Sequence, residues 1–153
     1  MSNELELKVP PVALFCVFGI LMWLVSGDSV FTMALPWRSA LTLIFLITGF
    51  AIALAGVLAF RRAKTTVNPL TPEATTTIVT SGIYRFTRNP MYLGFLFVLA
   101  GWAIYLSNLL ALVPLPLFVW YMNRFQILPE ERALSTKFPQ AFTEYSRSVR
   151  RWL

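Results

Sequence analysis

The sequence predicts an all-α integral membrane protein: four transmembrane helices, a cytoplasmic loop and C-terminal amphipathic helices. Three observations carry that prediction. Of 153 residues, 57% are hydrophobic and only 13% charged, where soluble domains carry about 45–50% apolar and roughly 25% charged residues. One small core cannot hide that excess. The uncharged residues also fall into runs of membrane-crossing length, and Lys and Arg are distributed very unevenly around those runs.

The first run lies between Lys8 and Asp28, nineteen residues opened by Pro10-Pro11. Acidic residues dominate its N-terminal flank and no small-x-small site follows, so it reads as a span rather than a cleavable signal. Ser39 to Phe60 gives twenty-two more, closed by Arg61-Arg62. Asn89 to Asn123 is a thirty-five-residue stretch without charge, interrupted by Ser107-Asn108. A spanning helix needs about 20 residues, so the predicted spans are 10–27, 39–60, 88–106 and 109–127. The last two form a tight hairpin, and Pro114 and Pro116 are expected to bend the fourth.

Four spans put twelve Lys and Arg residues on one face and only Arg38 on the other. Positive charge marks the cytoplasmic side, so both termini should be cytoplasmic. A fifth span would destroy the asymmetry. The net charge of +6 therefore reflects membrane orientation rather than a nucleic-acid partner.

Two cytoplasmic segments remain. The connection between the second and third spans is long for a plain loop, and Ile78, Val79, Ile83, Tyr84 and Phe86 give it material to pack. In the tail, Pro129-Glu130-Glu131 is a helix start with acids in the first turn. After Pro139, residues Phe142, Tyr145, Val149 and Trp152 recur at helical spacing among arginines, a pattern expected of a helix lying on the membrane surface. The chain reads as one domain, 1–153.

Composition also excludes chemistry. There is no His, and the one Cys, Cys16, sits in an apolar run. Disulfide frameworks, Cys/His zinc sites and Ser-His or Cys-His catalysis lack their parts; no metal is expected. No G-x-G-x-x-G follows a strand, so a soluble Rossmann-type nucleotide-binding domain is unsupported. A transporter would place ionisable groups at mid-membrane depth, and all four predicted spans are uncharged there.

Polar residues gather where the spans meet the cytoplasm: Thr80 to Gly94 (TSGIYRFTRNPMYLG), and Glu130-Glu131 followed by Leu134, Phe138, Phe142 and Tyr145. Gly82 and Gly94 suit tight turns or close approach. Taken singly, Arg88 could reach lipid phosphates, Tyr84 and Tyr92 could belong to an interfacial aromatic belt, and the glutamates could cap a helix. Together, G-x-Y-x-x-x-R-N-P-M-Y-L-G, an apolar stretch, and E-E-x-x-L-x-x-x-F resemble the isoprenylcysteine carboxyl methyltransferase family and the related phospholipid methyltransferases, over roughly residues 60–152.

That resemblance implies a membrane methyltransferase using S-adenosylmethionine and releasing S-adenosylhomocysteine, with cytoplasmic cofactor-binding segments at 61–92 and 128–153. Carried over by position, the cofactor contacts fall on Thr76, Thr77, Ile78, Val79, Tyr84, Asn89, Pro90, Met91, Tyr92 and Glu130. Aromatic faces attract a sulfonium, and a carboxylate suits ribose hydroxyls or an amino group. Arg88 is a candidate for supporting an anionic group of cofactor or substrate. The arginine that such enzymes place near the substrate carboxylate falls on Gln126, with Arg124 half a turn away; glutamine can hydrogen-bond but cannot neutralise a carboxylate. The implied substrate is lipophilic or prenylated and held in the bilayer of a bacterial inner membrane. A phospholipid amine or a thiol are alternative acceptors, and a non-catalytic scaffold of the same fold is a further alternative. Oligomeric state is not legible.

Overall fold

A computed structural model describes residues 6–27, 36–65 and 75–153. Among these, the elements are all helical. They are α1 (Pro11–Val25), α2 (Arg38–Arg62), α3 (Pro90–Leu106), α4 (Pro114–Tyr121), α5 (Leu128–Lys137) and α6 (Pro139–Ser148), with short 3₁₀ turns at Gly82–Arg85 and Leu109–Leu112. Four of the six helices, α1, α3, α4 and α6, begin on a Pro, where its fixed φ suits the helix and its missing N–H costs nothing.

Four rods run alternately up and down. α3 is central, packed by α2 on one side and by α1 and α4 on the other. The α2–α3 crossing is the tightest: a Cβ on Gly94 would sit 2.6 Å from the Gly49 carbonyl, and one on Gly49 would sit 2.7 Å from the Gly94 carbonyl. One heptad along each helix, Gly56 admits Pro90 and Met91, and Gly101 admits Phe45. Small residues let membrane helices approach this closely. Leu14, Met22, Leu99, Phe118, Met122 and Ile127 fill the bundle core.

α2 is long and apolar enough to cross a membrane, with 25 residues and an 18-residue stretch of mean hydropathy 2.6, whereas α1 and α3 are shorter apolar helices. Val17, Ile20, Trp23, Ile47, Phe50 and Leu54 are each more than half exposed on the outer faces of α1 and α2. A patch of this kind is unusual on a soluble monomer and is what lipid would cover. At the end remote from the termini, the Asn108 amide donates to the Ser26 carbonyl (3.2 Å) and Arg38 reaches the Ser107 hydroxyl (3.5 Å). The expected break falls here: Ser107 is left-handed (φ 51°), and Asn108 caps the next turn by accepting from the Leu110 N–H.

Two expectations are corrected. Pro114 and Pro116 do not bend the fourth helix, because α4 starts at Pro114 and both prolines occupy its first turn, where N–H groups lack helical partners anyway. Pro129, Glu130 and Glu131 do stand in the first turn of a helix, α5, as expected, and that helix follows α4 directly through a π turn, Met122–Ile127. Finally, the apolar face of α6 does not lie on the membrane surface. Phe142 and Tyr145 are buried against Val79 and Tyr84, forming a second core with Phe60, Ile78, Ile83, Leu134 and Val149. The loop after α2 offered that face a protein partner, and α6 caps it.

Candidate functional site

The site lies at the seam between bundle and cap. Gly82, at φ +61°, makes the turn that sends Ile83 into the cap and buries Tyr84. The Tyr84 ring packs on Phe60 with centroids 5.3 Å apart, and its carbonyl accepts from the Tyr145 hydroxyl at 2.7 Å. Its own hydroxyl is buried with no partner among the described residues. Burial raises its pKa far above the ordinary tyrosine value, with the nearby Tyr145 and Glu130 acting in the same direction.

The C-terminal segment then fixes the start of α3. The Arg88 N–H donates to the Arg150 carbonyl (3.0 Å), and the Asn89 amide donates to the Arg151 carbonyl (2.9 Å). The Arg88 guanidinium pairs with Glu131 at 3.0 Å, and Arg151 meets the other oxygen of that carboxylate at 2.7 Å. Arg88 Nε remains buried and without a partner among the described residues.

One turn into α3, the Tyr92 hydroxyl donates to Glu130 Oε1 at 2.5 Å, and the Gln126 amide donates to the same oxygen at 2.6 Å. Tyr92 and Gln126 are buried. Burial pushes the Glu130 carboxyl up to about 7; the Tyr92 and Gln126 hydrogen bonds oppose the shift, and the neighbouring Glu131 adds to it. A buried carboxylate poised near neutrality between a tyrosine and an amide is what functional sites tend to build.

Of the residues singled out in the sequence, Tyr92, Gln126 and Glu130 are therefore in direct contact, with Tyr84 close enough to feel the carboxylate's charge. Ile78 and Val79 belong to the cap core. Pro90 and Met91 pack where Gly56 leaves room. Asn89 is engaged with the C-terminal segment, and Arg88 with Glu131. Thr76 and Thr77 are exposed at the rim, the Thr76 N–H donating to the Thr65 hydroxyl. Arg124 faces Glu6 at 3.0 Å and does not take the place that Gln126 holds.

Sequence reasoning missed Phe60, Glu131 and Arg151 as parts of this assembly. The acidic pair against an arginine-rich tail was the available signal for the last two, but spacing could not say which charges meet.

The described residues thus form an apolar helical bundle with a polar, partly charged cluster between bundle and cap. A model of the phospholipid methyltransferase family matches residues 37–141. The chain belongs to that family. It is similar to an uncharacterised protein of Haemophilus influenzae, 41% identical over 63 residues, covering 41% of this chain and all of that protein. It is also similar to protein-S-isoprenylcysteine O-methyltransferase A of Arabidopsis thaliana, 33% identical over 113 residues and covering 74% of this chain and 57% of the plant protein. The mouse protein-S-isoprenylcysteine O-methyltransferase is 28% identical over 115 residues, covering 75% of this chain and 41% of its own. The chain thus matches about half the length of these named relatives. No solved structure matches it significantly.

Proposed function

We propose that the protein is an S-adenosylmethionine-dependent methyltransferase acting on a lipophilic, membrane-embedded substrate, in the manner of the isoprenylcysteine carboxyl methyltransferases. It would cross a bacterial inner membrane four times with both termini cytoplasmic, methyl transfer taking place at the cytoplasmic face. The observation that carries this reading is the meeting of Tyr92, Gln126 and Glu130 beside Tyr84, which brings aromatic rings and a carboxylate from two distant stretches of the chain into one buried cluster. The Tyr84 hydroxyl and Arg88 Nε, each without a partner among the described residues, fit a polar ligand, because buried polar atoms rarely go unpaired.

In this reading Tyr84 and Tyr92 flank the cationic end of the cofactor. Glu130 accepts hydrogen bonds from its hydroxyl or amino groups, and Arg88 Nε offers a donor to an anionic group. Asn89, Pro90 and Met91 form the floor, while Thr76, Thr77, Ile78 and Val79 form one wall. When bound, S-adenosylmethionine supplies an activated methyl group. The chain's own contribution is positioning, which can offset about 7–11 kcal/mol of barrier, and exclusion of water by Val79, Phe142 and Tyr145.

A specific observation favours a second reading of the acceptor. Gln126 is committed to Glu130 and Arg124 to Glu6, so neither supplies a free guanidinium at the position that serves a substrate carboxylate. A phospholipid amine or a thiol needs no such neutralisation. Transfer of labelled methyl from S-adenosylmethionine into membrane lipid extracts tests both readings. Label in a prenylcysteine ester supports the first acceptor, label in headgroups or thioethers supports the second, and no label in any fraction contradicts the activity.

A further inference from the structure

The fourth rod changes pitch just before it presents Glu130, and the cause lies in two sequence positions far apart. Pro129 has no N–H, so the Phe125 carbonyl four residues earlier has no α-helical donor, and the proline ring crowds it. The chain winds as a π turn instead, the Leu128 N–H bonding to the Asn123 carbonyl. The displaced Phe125 carbonyl accepts from the N–H of Leu7 at 3.1 Å. Leu7 is held at φ +58°, a conformation unfavourable for a leucine unless its surroundings fix it. The preceding Glu6, whose side chain is 10% exposed, pairs with Arg124 at 3.0 Å and with Arg132. These attachments straddle Gln126 and Glu130. Trp152 also reaches this turn, its indole N–H donating to the Asn123 amide oxygen at 3.0 Å.

A π turn absorbs one extra residue, so rewinding it as α-helix would rotate everything beyond it by about 100°. That rotation would carry Glu130 away from Tyr92. We propose that Glu6 and Leu7 are positioning residues: by tying Arg124, the Phe125 carbonyl and Arg132, they hold the π turn open and keep Gln126 and Glu130 facing Tyr92. The clamp itself stands on geometry alone; its effect on cofactor affinity rests on the function proposed above.

The test compares the parent, Glu6→Gln and Glu6→Asp in detergent. Amide hydrogen exchange over residues 122–131 is expected to quicken about tenfold in Glu6→Gln, with the α2–α3 crossing unchanged. S-adenosylmethionine affinity should fall about fivefold, the loss of a partly exposed charge pair, and Glu6→Asp should recover part of both losses. Unchanged exchange in Glu6→Gln overturns the clamp. Quickened exchange with unchanged affinity overturns its role in positioning Glu130. A parent that binds no S-adenosylmethionine contradicts the functional reading, while the exchange measurement still decides the clamp.

Discussion

Where α2 crosses α3, two glycines meet backbone to backbone, and the Thr42 hydroxyl donates to the Gly101 carbonyl at 3.3 Å. In the cap, side chains do most of the joining: Tyr145 to Tyr84, Glu131 to Arg88 and Arg151, Asn89 to the Arg151 carbonyl. The contrast follows from the surroundings. Lipid gives no hydrophobic drive between apolar helices, so shape must hold the bundle. At the aqueous boundary, burial of Phe142 and Tyr145 stabilises the cap while charge and hydrogen bonding fix its register. The candidate site draws Tyr92 from the first region and Glu130 from the second, and depends on both.

The largest expected effect tests the bundle. Gly94→Val places methyl groups against the Gly49 backbone and should cost about 3 kcal/mol, seen as a lower thermal midpoint in detergent and as faster exchange in α2 and α3 together. Removing charge from the cap should act more locally. Glu131→Gln leaves Arg88 and Arg151 without their partner and should cost about 2 kcal/mol, read as faster exchange over 139–151 with the α2–α3 crossing unchanged. If exchange quickened equally in both regions, the two would form one cooperative unit.

The pH dependence sharpens the same division. Glu130 is raised from 4.5 to about 7 by burial, so the folded protein holds a proton that the unfolded chain releases. Its contribution to stability is present in full below pH 4.5 and is lost as pH rises through about 7. Glu130→Gln should abolish that part of the slope. Binding a cation beside the carboxylate works in the opposite direction: affinity should fall roughly eightfold from pH 7.5 to 6, with proton release on binding. Calorimetry in buffers of differing ionisation enthalpy measures both. The smallest effect is expected of Tyr145→Phe, which removes the hydrogen bond to the Tyr84 carbonyl and should cost about 1 kcal/mol, visible as faster exchange near Tyr84.

Much of this division was legible in the sequence. Uncharged runs mark the rods, Ser107-Asn108 marks the break between the third and fourth, and Gly82 and Gly94 serve the turn and the close approach expected of them. What periodicity could not supply was partnership. The apolar stripe of α6 is as compatible with lipid as with protein, and only the fold shows that Val79 and Tyr84 occupy it. Pro129 reads locally as a helix start; that the rod continues through it depends on a π turn whose freed carbonyl is met by Leu7, more than a hundred residues away in sequence. The pairing of Gln126 with Glu130 follows from helical spacing of four. The third member, Tyr92, needed the packing of α3.

The central claim is that Tyr92 and Glu130 converge on one ligand, and calorimetric titration of S-adenosylmethionine into the detergent-solubilised protein tests it most directly. Binding to the parent should be lost in both Glu130→Ala and Tyr92→Ala while each keeps the parent's helical content and a cooperative melt. Parent-like binding by both variants would contradict it.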